Sequence, residues 1–168
     1  QIILGYLITA ETYAIFALVT SAVAFTAAFQ NPGISKLIIK QRTTSPERLT
    51  EYAAFALTVG CVGAMLLALV GGAFAVSYGQ PVLFPLLLIS AVTVPIIALS
   101  WIFFSQLSLD FAFRALSFST VLQSLSYYIV LLSLAWIGAG AFALVLATLT
   151  GTLVYLLLLR YHATSFAV

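Results

Sequence analysis

Polar and apolar positions in this chain separate into long blocks instead of alternating from one residue to the next. Apolar runs of membrane-crossing length follow one another, with short polar gaps between them. Runs of about 20 residues or more predict α-helices that cross a bilayer, whereas a membrane barrel would show short alternating strands. Gln1–Ile8 is apolar but too short to span and carries no basic leader, so it reads as the end of a first helix. Thr9–Thr12 is a polar connection, and a span follows from Tyr13 to about Ser35. Residues 36–51 form the most charged connection. Further spans are expected at Tyr52–Tyr78, Val82–Leu107, Ala115–Ile137 and Ala141–Leu159, separated by turns at Ser77–Pro81, 110–114 and Trp136–Gly140. The predicted fold class is all-α: a polytopic transmembrane helix bundle of five complete spans plus the end of a first helix.

Local signals refine these elements. Pro32 and Gly33 follow Gln30 and Asn31 near the end of the first complete span, and a proline there bends or breaks a helix. Freed backbone inside a bilayer must face protein or water. Ser45-Pro46-Glu47 reads as a helix start, with Ser45 as the cap and Pro46 in the first turn. Gly60, Ala64, Ala68 and Gly72 recur every four residues, and Ala143, Ala147 and Gly151 repeat the device; small stripes of this kind admit a neighbouring helix. Pro95 is expected to kink its span. Trp101, Phe103 and Phe104 suit an interfacial aromatic belt. Asp110 and Arg114, four apart in the next connection, could pair on one helix face.

Composition confirms the class and narrows the chemistry. The chain is 64% hydrophobic and 6% charged, where soluble domains carry about 25% charged residues. All six Lys and Arg side chains, at 36, 40, 42, 48, 114 and 160, fall in alternate connections. The basic connections, 36–51, 110–114 and 160–168, are therefore expected on the cytoplasmic side. One cysteine, Cys61, excludes a disulfide within the chain. His162 is expected as a solvated tail residue. No Cys/His ligand cluster, phosphate loop or paired intramembrane carboxylates appear, so the chain reads as no enzyme, with no metal, no cofactor and no nucleic-acid partner.

The ordered set of local sequences resembles a known family. Leu7–Leu18 (LITAETYAIFAL), Asn31–Arg42 (NPGISKLIIKQR), Gln106–Arg114 (QLSLDFAFR) and Gly138–Leu144 (GAGAFAL) resemble, in order and spacing, the polysaccharide flippases. These are the oligosaccharide-lipid branch of the superfamily that also holds lipid II flippases and multidrug extruders. The chain departs from them at Asn31, where the family has an acidic residue, and at Pro32, where it has an aliphatic one. Its connection after the fourth helix has Arg114 and Asp110 in place of an arginine-rich stretch. The resemblance implies one transmembrane lobe, residues 1–168, equal to the N-terminal half of a two-lobe transporter in the bacterial inner membrane. It implies that an isoprenoid-linked oligosaccharide is flipped by alternating access. Lipid-linked oligosaccharide, membrane lipids and a second lobe or other membrane subunits are the expected partners. The alternative is a truncated flippase-like structural subunit packed against a larger membrane complex.

Candidate substrate-binding residues follow. Gln30, Asn31 and Lys36 offer amide and cationic donors suited to sugar hydroxyls and a pyrophosphate. Gln30 and Asn31 could instead satisfy the backbone freed by Pro32, and Lys36 could be a snorkelling anchor. Gln123 and Tyr127 belong to a polar side of the 115–137 span, with Ser117, Thr120, Ser124 and Tyr128. That side could line a cavity or make hydrogen bonds between helices.

Overall fold

The computed structural model describes residues 10–30, 34–41 and 45–166, and all regular structure among them is helical. The helices are α1 (Ala10–Gln30), α2 (Ile34–Gln41), α3 (Pro46–Ser77), α4 (Leu83–Leu109), α5 (Phe113–Trp136) and α6 (Ala141–Phe166). Stretches Glu47–Ser77, Leu83–Leu109, Phe113–Trp136 and Ala141–Ala163 are long and apolar enough to cross a membrane; α1 carries a shorter apolar stretch, Thr12–Thr26. The chain is a polytopic helical membrane bundle. Gln1–Thr9, Asn31–Gly33 and Arg42–Thr44 lie outside the described residues. The expected first-helix end, the break at Pro32 and the candidate Asn31 fall among them.

The helices are close to where the apolar blocks placed them, with differences that have physical causes. The connection expected at 36–51 contains α2, a short helix that turns Ile38 inward. Ile38 is fully buried against Ala56 of α3 and Ala98 and Ile102 of α4. Lys36 and Lys40 are exposed. Pro46 opens α3 as expected, but the Ser45 side chain makes no capping bond; its carbonyl accepts from the Leu49 amide at 3.2 Å. The last helix does not stop near Leu159. It continues through Arg160 to Phe166. His162 is therefore a helical residue: its ring meets Phe118 edge-on at 6.3 Å, and its buried Nε2 has no hydrogen-bond partner among the described residues. Asp110 and Arg114 do not share a helix face. Asp110 closes α4 and Arg114 lies in α5, with Phe111 reversing the chain between them at φ 53°.

The helix-to-helix turns use one device. At the ends of α3, α4 and α5, the residue after the cap is left-handed: Gly79, Phe111 and Gly138. Each passes its amide proton to the carbonyl three residues back, and the following residue bonds five back, as Ala112 does to Leu107 at 2.9 Å. This double bond satisfies carbonyls that a helix end leaves open.

α4 is the central helix. Half of its membrane-length window is buried, against 17% for α5. It packs on α3, α6, α1 and α2. Val19, Leu67, Leu86, Leu87, Val94 and Val145 fill the core around it towards one end. α5 leans chiefly on α6, through Leu131, Ala143, Leu144 and Ala147. It meets α4 beside the Asp110–Ala112 turn, in the cluster of Leu107, Leu116 and Leu159. Beyond that cluster a space opens between α4 and α5, with α6 as its floor.

Candidate functional site

Two small adjoining cavities occupy this space. One, of about 250 Å³, is lined by Ile97, Ser100, Trp101 and Phe104 of α4, Gln123 of α5, and Thr152 and Tyr155 of α6. The other, of about 230 Å³, is lined by Gln123, Ser124, Tyr127 and Tyr128 of α5 and Thr148, Gly151 and Thr152 of α6. Gln123 and Thr152 belong to both, so the two form one cleft with a shared wall. Gln123 is about 15 Å along α5 from Phe113, close to the middle of that helix. Thr152 sits at a similar depth in α6, so the cleft lies near the level of the bilayer centre.

The local sequence explains the shape. Gly151 lets α5 come close to α6: a β-carbon there would stand 3.4 Å from the Gln123 carbonyl oxygen and from Tyr127 Cβ. Ala147 and Ala143, one and two turns earlier, are fully buried on the same side. The small-residue stripe expected in α6 is thus its α5-facing surface. The expected stripe of α3 is corrected. Gly60 faces Pro95 and Ala98, but a β-carbon at Gly72 would meet nothing within 4 Å. The buried positions of α3 are Ala56, Gly60, Gly63, Leu67 and Gly71. Four residues turn a helix by about 400°, so a strict four-residue repeat drifts off a face that steps of three and four keep.

The serine and threonine hydroxyls in the cleft are already committed as donors. Ser100 donates to Ile96 O at 2.8 Å, Ser124 to Thr120 O at 3.0 Å, Thr148 to Leu144 O at 2.8 Å and Thr152 to Thr148 O at 2.7 Å. Each remains able to accept. Thr120, on the same polar side of α5, likewise donates within its own helix, to Leu116 O at 3.0 Å. The Gln123 amide has no partner among the described residues. An amide left unpaired in hydrocarbon costs about 2–7 kcal/mol, so the Gln123 side chain calls for a polar partner.

The sequence candidates do not all gather here. Gln123 and Tyr127 line the cleft. Lys36 is exposed on α2, in a helix packed at the other side of α4, and Gln30 is the last residue of α1. Trp101, Tyr155 and Thr152 were missed as cleft residues. Trp101 lines the cleft, stands edge-on to Phe104 at 5.6 Å and is 42% exposed.

A larger cavity, about 630 Å³, lies between α1 and α3. Its lining is almost wholly hydrocarbon, including Leu18, Phe25, Val62, Leu66 and Phe74. Thr26, on its wall, donates its hydroxyl to Ala22 O at 2.8 Å. It can hold hydrocarbon but offers little to a polar group, so size alone does not mark the site. Among the described residues, no three His, Cys, Asp or Glu side chains come together as a metal site would need.

Residues 3–166 match the family described as polysaccharide biosynthesis protein. The chain belongs to that family. No curated protein and no solved structure matches it. The family gives the membrane bundle a biological setting: the making of polysaccharides, whose intermediates must be handled at a membrane.

Proposed function

We propose that this chain is one lobe of a transporter that moves an isoprenoid-linked oligosaccharide from the cytoplasmic to the external leaflet of the bacterial inner membrane. The observation that carries this reading is the open Gln123 amide in a polar and aromatic cleft near the middle of membrane-length helices, within a polysaccharide biosynthesis family. A bundle built only for packing has no use for an unpaired amide at that depth. A sugar crossing the bilayer has the opposite need, because its hydroxyls must find partners as they leave water. The lobe would rock against a second lobe, exposing the cleft to one side and then the other, while the isoprenoid tail stays in lipid. It would work as a transporter, with no bond made or broken.

The test is glycan export in cells lacking the chromosomal copy. Gln123→Leu combined with Thr152→Val removes the amide and one acceptor but keeps side-chain bulk. Export per molecule should fall at least about tenfold, the consequence of losing roughly 1.4 kcal/mol of transition-state binding. Protein level in the membrane should stay close to that of the parent. Unchanged export per molecule would remove the cleft from the transport path.

A further inference from the structure

We propose that the cleft is a subsite for an uncharged sugar ring, and that it discriminates against acidic sugars and against the pyrophosphate of the lipid carrier. This rests on the transport reading above and specifies which part of the substrate the cleft receives.

Two features of the lining lead there. The first is charge. No Asp, Glu, Lys or Arg is among the residues that line either cavity. An anion placed here would lose its hydration and gain no cation, a cost of several kcal/mol. The second is donor and acceptor balance. Ser100, Ser124, Thr148 and Thr152 have spent their protons on carbonyls of their own helices. What they present to the cleft is lone pairs. Along that seam a carboxylate or phosphate oxygen, itself only an acceptor, meets lone pairs, and the donors that remain, the Gln123 amide, the Trp101 indole N–H and the tyrosine hydroxyls, carry no positive charge. A neutral sugar hydroxyl can donate to it.

The remaining groups complete the match. The Gln123 amide supplies two protons and one carbonyl oxygen at the wall common to both cavities, enough to address neighbouring hydroxyls of one ring. Trp101, Tyr155 and Tyr127 supply apolar surfaces against which the C–H face of a pyranose can lie. Such a ring is apolar on its faces and polar around its rim, and this cleft has aromatic walls with a hydrogen-bonding seam between them. The pyrophosphate then belongs outside the cleft.

The chain contains two tryptophans, and this makes a direct test possible. Trp136 is 87% exposed at the end of α5, away from the cleft, so Trp136→Phe leaves Trp101 as the only indole. That protein, in lipid nanodiscs free of glycoside detergent, is titrated with maltotetraose and, separately, with tetragalacturonate. Maltotetraose should shift Trp101 emission saturably, and tetragalacturonate should bind at least tenfold more weakly. Adding Gln123→Leu should weaken maltotetraose binding about tenfold, the size of one lost hydrogen bond to an amide. Gln123→Lys, which places a cation at the shared wall, should turn the preference towards tetragalacturonate.

Equal or stronger binding of tetragalacturonate to the parent overturns the inference. So does the absence of a saturable response to maltotetraose in protein that elutes as a single species. If maltotetraose gives no response but Gln123→Leu with Thr152→Val still abolishes export, the neutral-sugar subsite falls and the transport reading stands. If both the response and the export defect are absent, both readings fall.

Discussion

Pro95 of α4 fills the space that a side chain at Gly60 of α3 would need. An ideal β-carbon at Gly60 would lie 2.8 Å from Pro95 Cα, 3.2 Å from its Cβ and 3.3 Å from Ala98 Cβ. The nearest atom is backbone, so no rotamer change can relieve the clash. Pro95 lies inside α4, which runs without a break from Leu83 to Leu109. The joint between the central helix and α3 is therefore a glycine seated on a proline.

Gly60→Ala should separate α3 from α4 and destabilise the bundle by about 1–3 kcal/mol, the usual range for overpacking a core. Gly72→Ala, twelve residues along the same helix, meets nothing and should be neutral or stabilising by up to about 1 kcal/mol, from helix propensity. Thermal unfolding of the two variants in one detergent checks the contrast. Equal losses would show that the stripe acts as a whole, against the geometry.

These glycines also show what the sequence could and could not reveal. Apolar blocks located the long helices because crossing a bilayer demands an uninterrupted run, a signal no local detail overrides. The small-residue stripe of α3 was legible as a motif but not in its register, since Gly72 repeats in sequence and drifts away in rotation. α2 was obscured by Lys36 and Lys40, which marked a connection. For the cleft, Gln123 and Tyr127 stood out on their own helix. Trp101, Thr152 and Tyr155 did not, because the periodicity of one helix does not encode which neighbour it faces. Trp101 in particular reads from sequence as part of an interfacial belt.

Phe111 occupies a position that favours glycine. Its φ of 53° matches the Gly79 and Gly138 turns at 61° and 81°, yet it carries a full aromatic side chain, 77% exposed. A left-handed residue with a β-carbon costs about 1–2 kcal/mol relative to its ordinary conformation. Phe111→Gly removes that cost and loses the ring contact with Phe113 at 6.0 Å, worth roughly 0.5–1.5 kcal/mol. Because both rings are exposed, the contact should fall at the low end of that range. The variant should gain up to about 1 kcal/mol, read as a higher midpoint of thermal unfolding. A lower midpoint would mean that the ring pair outweighs the backbone.

The distribution of basic residues predicts which ends of the helices face the cytoplasm. With Cys61 replaced by Ala, single cysteines at Glu47 and Asp110 should react with an impermeant maleimide only from the inside. Cysteines at Tyr78 and Ile137 should react from the outside. All four positions are exposed, so reactivity reports the side of the membrane and not burial. Labelling of Asp110 and Ile137 from the same side would break the alternation on which the orientation rests, since α5 lies between them.

Gln30, Asn31 and Lys36 remain the second group of substrate candidates, and they can be separated from the cleft by experiment. Lys36 lies on the exposed side of α2, away from the Gln123 wall. A lysine there can anchor the helix at a phosphate-rich surface, or it can meet the carrier pyrophosphate that the cleft excludes. These roles differ in what they do to transport. If the three residues hold the carrier head group, changing them to Leu, Leu and Met should abolish glycan export while the protein accumulates normally. Maltotetraose binding at Trp101 should then persist, because the sugar subsite is intact. If they serve only to anchor or to satisfy the backbone near Pro32, the same changes should lower protein level and leave export per molecule nearly unchanged. Loss of both export and Trp101 binding, at normal protein level, would show that the two groups act as one site.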